Sequence, residues 1–438
     1  MNTTIRGFSK LSKNEKINWL IQQHFNGNAH ARKTLETYWN TDRKLQQLHD
    51  DFIENTLTNY YMPLGVAPNF LINGKHYTLP MAIEESSVVA AAAKAAKYWG
   101  KRGGFQAVVV NDEKIGQIHF IYRGDAKKLA QFTSDIKEQL LADVSSITTN
   151  MERRGGGIQS IDLRDQCKKI PHYFQLHIRF RTVDSMGANF INSCLEEIAK
   201  RFEHYLHYSP LFASTEKSIE VVMSILSNYV PDCTVKASVQ CCINDLEEEE
   251  GLSKKAFAEK FVRAVRIAEE EPYRAVTHNK GIMNGVDALV IATGNDFRAV
   301  EAGVHAYAAR DGKYKSLSTA FIDGDQFHFS LEIPLAIGTV GGLTNLHPLV
   351  KWSLELLGKP TAKELMQIMA VAGLAQNFAA LRSLVTSGIQ KGHMKMHLLN
   401  ILNQLHATPS QKEKALIYFK TVPVSHSAVA QFLDEHPE

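Results

Sequence analysis

The sequence predicts a mixed α/β fold, and three observations carry that expectation. Val88-Val89-Ala90-Ala91-Ala92-Ala93-Lys94-Ala95-Ala96 is dominated by alanine, the strongest helix former. Phe174, Leu176, Ile178 and Phe180 alternate with Gln175, His177, Arg179 and Arg181, the pattern of a half-buried strand. That strand runs into the turn Asp184-Ser185-Met186-Gly187-Ala188-Asn189. Beyond it Ile191, Cys194, Leu195, Ile198 and Phe202 recur at helical spacing. Strand, glycine turn, helix is an order that brings a helix N-terminus to a phosphate.

In chain order, residues 1–60 are polar and rich in helix formers, and read as an N-terminal helical arm. Met62-Pro63-Leu64-Gly65-Val66-Ala67-Pro68 breaks the pattern. Met81-Ala82-Ile83-Glu84-Glu85-Ser86-Ser87 then leads into the alanine helix, with a serine as its cap and the two glutamates in the turn before it. The small alanine face would let another helix approach closely. Phe105–Val110 and Ile115–Tyr122 read as strands around Asn111-Asp112, and Cys233 to Cys241 alternates as another. The run Glu247–Glu250 reads as solvated surface. Ser253 caps a helix that Pro272 stops. Thr361-Ala362-Lys363-Glu364 is a capping box that opens a long helix to about Ser387-Gly388, and a second helix follows from about His393 to Leu405.

Composition narrows the function classes. Apolar residues make up 44% and charged residues 22%, ordinary for a globular chain. The balance of 49 cationic and 46 anionic residues gives a net charge of +3, which argues against a nucleic-acid or membrane partner. The five cysteines, Cys167, Cys194, Cys233, Cys241 and Cys242, have no CxxC spacing and suit a reducing, cytoplasmic setting. The first residues lack the apolar core of a signal peptide. Apolar stretches are interrupted by Lys94, Gly285 or Gly338, short of the roughly 18 residues of a membrane-spanning helix.

Chemistry concentrates in Thr277-His278-Asn279-Lys280-Gly281-Ile282-Met283-Asn284-Gly285 and in Ala292-Thr293-Gly294-Asn295-Asp296. A lysine can stabilise an oxyanion, and a nearby carboxylate can tune it. Lys280 is read here as a residue of a glycine-flanked loop, with Ala288-Leu289-Val290-Ile291-Ala292 as a strand leading to Asp296. The bland alternative is a solvated surface lysine. Glu84 and Glu85 could simply favour a helix dipole, or one of them could act as a general acid. His393 and His397 stand at i, i+4, but no third ligand is evident and no metal is expected. A histidine between glycine hinges is better suited to acid–base work on a closing segment. No GxGxxG fingerprint occurs.

Together these segments resemble 3-hydroxy-3-methylglutaryl-CoA reductase of the soluble, bacterial-type class II, from about Met62 to His397. The carrying motifs are residues 81–90, the turn at 184–189, the Lys280 and Asp296 segments, Gly373-Leu374-Ala375-Gln376-Asn377 and Gly392-His393-Met394. The resemblance implies a large substrate-binding domain (61–111 and 228–388), an inserted small non-Rossmann dinucleotide domain (112–227) and a helical C-terminal flap (389–438). It implies reduction of the HMG-CoA thioester to mevalonate by two hydride transfers, with release of CoA. Lys280 would stabilise the oxyanion, Glu85 supply a proton, Asp296 link and tune the pair, and His393 protonate the departing thiolate. Substrate contacts would fall on Ser87, Arg274 and Asn284. The dinucleotide would lie against Asp184, Met186, Gly187, Ala188, Asn189 and Asn228.

NADH-preferring relatives carry an acid upstream of the triple glycine, here Gly155-Gly156-Gly157. Thr148 stands at that place, with Arg153 and Arg154 nearby, which favours NADPH over NADH. The family's dimers, with active sites at the subunit interface, imply at least a homodimer. Ser86 departs from the proline common after the glutamate, and Leu343 is unusual beside Gly341-Gly342. Other readings are a different NAD(P)-dependent thioester or aldehyde oxidoreductase, and a silent CoA-binding homologue.

Overall fold

The computed structural model describes residues 4–249, 251–386, 388 and 398–437. The chain forms two compact units, Met1–Pro63 and Leu64–Glu438. In the first, α1 (Lys13–His24), α2 (Ala29–Thr37) and α3 (Arg43–Asp50) are each opened by a side-chain cap, from Ser12, Asn28 and Asp42. A Lys13–Asp50 ion pair of 2.7 Å ties α1 to α3.

The second unit begins with the antiparallel pair β1 (Leu64–Ile72) and β2 (Lys75–Ala82), followed by α4 (Val88–Gly100) and β3 (Gln106–Val109). The chain then builds a second sheet with its own helices. These elements are β4 (Lys114–Tyr122), α5 (Ala126–Asp135), α6 (Lys137–Asp143), α7 (Ser145–Glu152), β5 (Gly157–Asp165), β6 (Tyr173–Arg181), α8 (Ala188–Tyr208) and β7 (Ile219–Ser227). It returns through β8 (Thr234–Cys242), α9 (Lys254–Glu270), α10 (Pro272–Ala292), α11 (Phe297–Ala308), β9 (Ser318–Asp323), β10 (Gln326–Pro334), α12 (Pro348–Leu356) and α13 (Ala362–Val385).

Two four-stranded sheets result, ordered β3-β8-β10-β9 and β5-β6-β4-β7, with every pairing antiparallel. Each anchors a separate core. One buries Trp99, Phe105, Phe261, Phe327, Phe329 and Phe378. The other packs Phe120, Leu176 and Ile178 of its sheet against Phe132, Leu140 and Phe202 of α5, α6 and α8. Each such phenylalanine contributes about 1.5–3 kcal/mol by leaving water. Leu398, Leu402, Phe419 and Phe432 form a third, smaller cluster near the C-terminus.

The alanine helix, the strand at 173–181 and the Thr361 capping box stand where the sequence predicts them. Four features differ. Residues 277–292 are neither loop nor strand but most of α10, whose N-cap is Glu271 and whose first residue is Pro272. Proline lacks an N–H, so it ends α9 and suits the first turn of α10. Ser87 occupies the N-cap position of α4 but makes no capping bond, because its φ of 76° turns it into the left-handed region. Within the acidic run, Glu247 and Glu249 are not simply solvated; Arg382 reaches them at 2.8 and 2.6 Å. Finally, α13 is long and apolar enough to cross a membrane by composition, yet here it is mostly buried as a core helix.

Candidate active site

A cleft of about 560 Å³ opens between the 84–87 turn, α10 and α13. Helical periodicity explains which α10 residues face it. Arg274, Thr277, Gly281 and Asn284 recur every three or four residues and line one stripe, with Lys280 beside them. Lys280 Nζ meets Glu85 Oε2 at 2.8 Å, and Asn284 Nδ2 approaches the same oxygen at 3.5 Å. The two charged side chains remain 59% and 38% exposed. An ion pair this wet adds little to stability, at most about 1 kcal/mol. The pair is therefore available for chemistry. Ser87 and Arg274 line the same cleft, the latter half-buried.

Behind Lys280 a buried hydrogen-bond chain fixes the rotation of α10. His278 Nε2 meets Ser318 Oγ at 2.7 Å, and Ser318 Oγ donates to Asn377 Oδ1 at 2.8 Å. Asn279 donates to the Lys315 carbonyl and accepts from the Leu317 N–H. Burial, and then the Arg274 charge, push His278 down to about 3, so it stays neutral. His278, Gln376, Arg382 and Glu249 all line the cleft without having been assigned roles from sequence. Helical spacing within 274–284 was the signal available for His278; the Arg382–Glu249 pair joins distant segments and left no local sign.

Asp296 is not part of this cluster. It caps α11, accepting from the Arg298 and Ala299 N–H groups, and pairs with Arg298 Nε at 3.0 Å. The Arg298 hydrogen bond, together with those backbone donors, holds its carboxyl below the usual range. Twelve helical residues separate Lys280 from Ala292, roughly 18 Å at 1.5 Å per residue. The expectation that Asp296 links the Lys280–Glu85 pair is not met within one chain. His393 lies outside the described residues. An acidic pair sits near the end of α10: burial, and then the neighbouring Glu301, push the Asp287 carboxyl up, while Glu301 also meets His305 Nε2 at 2.7 Å.

The turn between β6 and α8 has the features of a dinucleotide cradle. Gly187, at φ 89°, is the N-cap of α8, and no side chain caps the first turn. A Cβ on Gly187 would lie 2.4 Å from Thr182 Cγ2, so only glycine fits. An uncapped helix N-terminus with close backbone approach fits a pyrophosphate. Met186, Ala188 and Asn228 border one small crevice, and Asn189 is exposed beside them.

Asp184 is engaged within the fold. Its Oδ1 accepts from the Ala362 N–H at 2.7 Å, and its carbonyl accepts from Thr339 and Val340. Its described bonds hold the turn in place. Thr148, on α7, is 1% exposed, and its hydroxyl finds no hydrogen-bond partner among the described residues. Arg153 and Arg154 are exposed. Among the described residues, no three His, Cys, Asp or Glu side chains converge as metal ligands.

Comparison with known proteins agrees across nearly the whole chain. The family model described as hydroxymethylglutaryl-coenzyme A reductase matches residues 14–398. The 3-hydroxy-3-methylglutaryl-coenzyme A reductase of Archaeoglobus fulgidus is 36% identical over 419 residues, 95% of this chain and 90% of that protein. A probable enzyme of the same name from Borreliella burgdorferi is 34% identical, over 94% of this chain and 93% of its own length. The class II enzyme of Streptococcus pneumoniae bound to NADPH in open conformations superposes with a TM-score of 0.72. It is 36% identical and covers 87% of this chain and 100% of its own. Another structure of the Streptococcus pneumoniae reductase gives a TM-score of 0.73 at 33% identity, covering 99% of both chains.

Proposed function

The chain belongs to the hydroxymethylglutaryl-coenzyme A reductase family, in its class II form, and from that premise we propose how its cleft works. The reaction converts a thioester to a primary alcohol and a free thiol, consuming two hydrides and two protons. NADPH, when bound, supplies the hydrides. The 2.8 Å contact between Lys280 and Glu85 in the open cleft is the observation that carries the assignment. The Lys280 ammonium stabilises the oxygen that gains negative charge as each hydride arrives. Glu85 delivers a proton to that oxygen. Arg274 grips the free carboxylate of the hydroxymethylglutaryl group, and Ser87 and Asn284 hold its polar atoms. His393 protonates the departing CoA sulfur.

Asp296 completes the site from a second copy of the chain. Two observations support this. Helix geometry puts Asp296 too far from its own Lys280. It also follows a loop flanked by exposed apolar side chains: Gly294 packs beside Leu343 and Val350, and Leu343, Leu346, Leu349, Trp352 and Leu356 are all exposed. A second copy covering that patch would bring its Lys280–Glu85 pair to Asp296 and make the enzyme at least a homodimer. Arg153 and Arg154 suit a 2′-phosphate, which favours NADPH over NADH. Five unpaired cysteines suit a cytoplasmic location.

The test is loss of nicotinamide absorbance with HMG-CoA, run with NADPH and NADH in parallel and with acetyl-CoA and succinyl-CoA as controls. Oxidation that needs HMG-CoA and vanishes in Lys280→Ala supports the assignment. A folded protein that oxidises neither cofactor, or prefers another thioester, overturns it.

A further inference from the structure

Lys114 is the first residue of β4 and only 6% exposed. A buried ammonium is tolerated only when its three protons find acceptors. Here they do. Nζ donates to Thr182 Oγ1 at 2.5 Å, to the Ser185 carbonyl at 2.7 Å and to the Met186 carbonyl at 3.0 Å. The Ile337 carbonyl, which belongs to the segment after β10, stands at 3.5 Å. Thr182 Oγ1 in turn donates to the Ser185 carbonyl at 2.6 Å. Asp112, a carboxylate whose charge acts on Lys114, is engaged by Arg181 at 2.8 Å and Lys363 at 2.9 Å. Lys114 therefore gathers one hydroxyl and several backbone oxygens, and its three shortest contacts lie in the 182–186 turn.

That geometry constrains the other side of the turn. In a trans peptide the C=O and N–H point in opposite directions. With the Met186 carbonyl drawn inward to Lys114, the Gly187 N–H faces away from it, toward the open start of α8. Thr182 is also the residue whose Cγ2 would meet a Cβ on Gly187. One lysine and one threonine thus set both the carbonyl directions and the close approach of the turn.

We propose that Lys114 is a positioning residue for the dinucleotide: its ammonium orients the 182–187 turn so that the backbone donors at the start of α8 face the pyrophosphate. The inference rests on the reading that this turn holds the dinucleotide. It adds a residue that acts through the backbone of the turn it holds.

The test measures NADPH affinity by calorimetric titration without HMG-CoA, alongside the KM for HMG-CoA and the thermal unfolding of each variant. Lys114→Met keeps the side-chain length and removes the charge. The dissociation constant for NADPH should rise roughly tenfold, as expected when a charge-assisted contact that orients a site is lost. The KM for HMG-CoA should stay within about twofold of wild type, since the lysine does not face the cleft. Thr182→Val removes the hydroxyl and should weaken NADPH in the same direction by less. It carries the test alone if Lys114→Met does not fold. Unchanged NADPH affinity in a folded variant, or equal weakening of both ligands, overturns the proposal. Ala188→Asp places a carboxylate where the phosphates would sit. If that variant binds NADPH normally, the reading of the turn fails and this inference with it; if only Lys114→Met and Thr182→Val bind normally, the inference fails alone.

Discussion

Lys280 Nζ and Glu85 Oε2 stand 2.8 Å apart although 195 residues of chain separate them. The contact depends on packing α10 beside the turn that follows β2. Because the pair acts on one developing oxyanion, its members should behave as a unit. Lys280→Met and Glu85→Gln should each lower kcat by roughly a hundredfold or more. The double variant should be only slightly worse than the poorer single one. Steady-state rates for the four proteins decide it; multiplying losses would mean that the two residues act independently.

Arg274 lines the same cleft, and burial draws its guanidinium below its ordinary range. Arg274→Met should raise the KM for HMG-CoA by roughly 10- to 100-fold and change kcat less. A fall confined to kcat would remove Arg274 from substrate binding.

A shared site makes a sharper prediction about Asp296. Lys280→Ala and Asp296→Asn should each be nearly inactive alone. Unfolded and refolded together, half the dimers would be mixed, and each mixed dimer would hold one intact site, restoring about a quarter of wild-type activity. No recovery on mixing would show that both residues serve the same subunit.

Asp287 makes stability depend on pH. Burial, and then Glu301, push its carboxyl from 3.8 up to about 9. The folded protein thus keeps a proton that the unfolded chain releases. Its stabilising contribution is full below the unfolded value of about 4 and is lost as pH rises toward 9. Asp287→Asn stays neutral throughout. The melting temperature of wild type relative to Asp287→Asn should therefore fall between pH 5 and pH 9, on the order of 5 °C. A constant difference across that range would show that Asp287 is ionised in both states.

Local patterns made much of this molecule legible. Alternation marks β6, alanine content marks α4, and Thr361 with Glu364 marks the start of α13. The glycines of 281–285 concealed α10, because glycine weakens an isolated helix. The structure supplies the missing reason at Gly285, where a Cβ would stand 2.5 Å from the Ala372 carbonyl. That close crossing with α13 is a tertiary fact with no local trace. The same holds for Glu249, whose partner Arg382 is distant in sequence, and for Asp184, whose carboxylate is taken by the first turn of α13. Arg274, Lys280 and Asn284 were identifiable by residue type; their shared helical stripe was not.

The pairing of β3 with β8 bears on how such a protein can be rebuilt. The chain leaves the β3-β8-β10-β9 sheet at Val109 and re-enters it opposite, at Val235, so the ends of everything between them are neighbours. The intervening stretch is attached as a loop on a hairpin is attached, and its core of residues 118–219 is its own. On the proposed reading that it carries the dinucleotide, it is a cassette. A chain in which a short turn joins Val109 to Val235 should still bind HMG-CoA, as a calorimetric titration would show, while losing dinucleotide affinity. Nicotinamide preference could then be exchanged as a block between relatives, leaving the thioester cleft with its original connectivity.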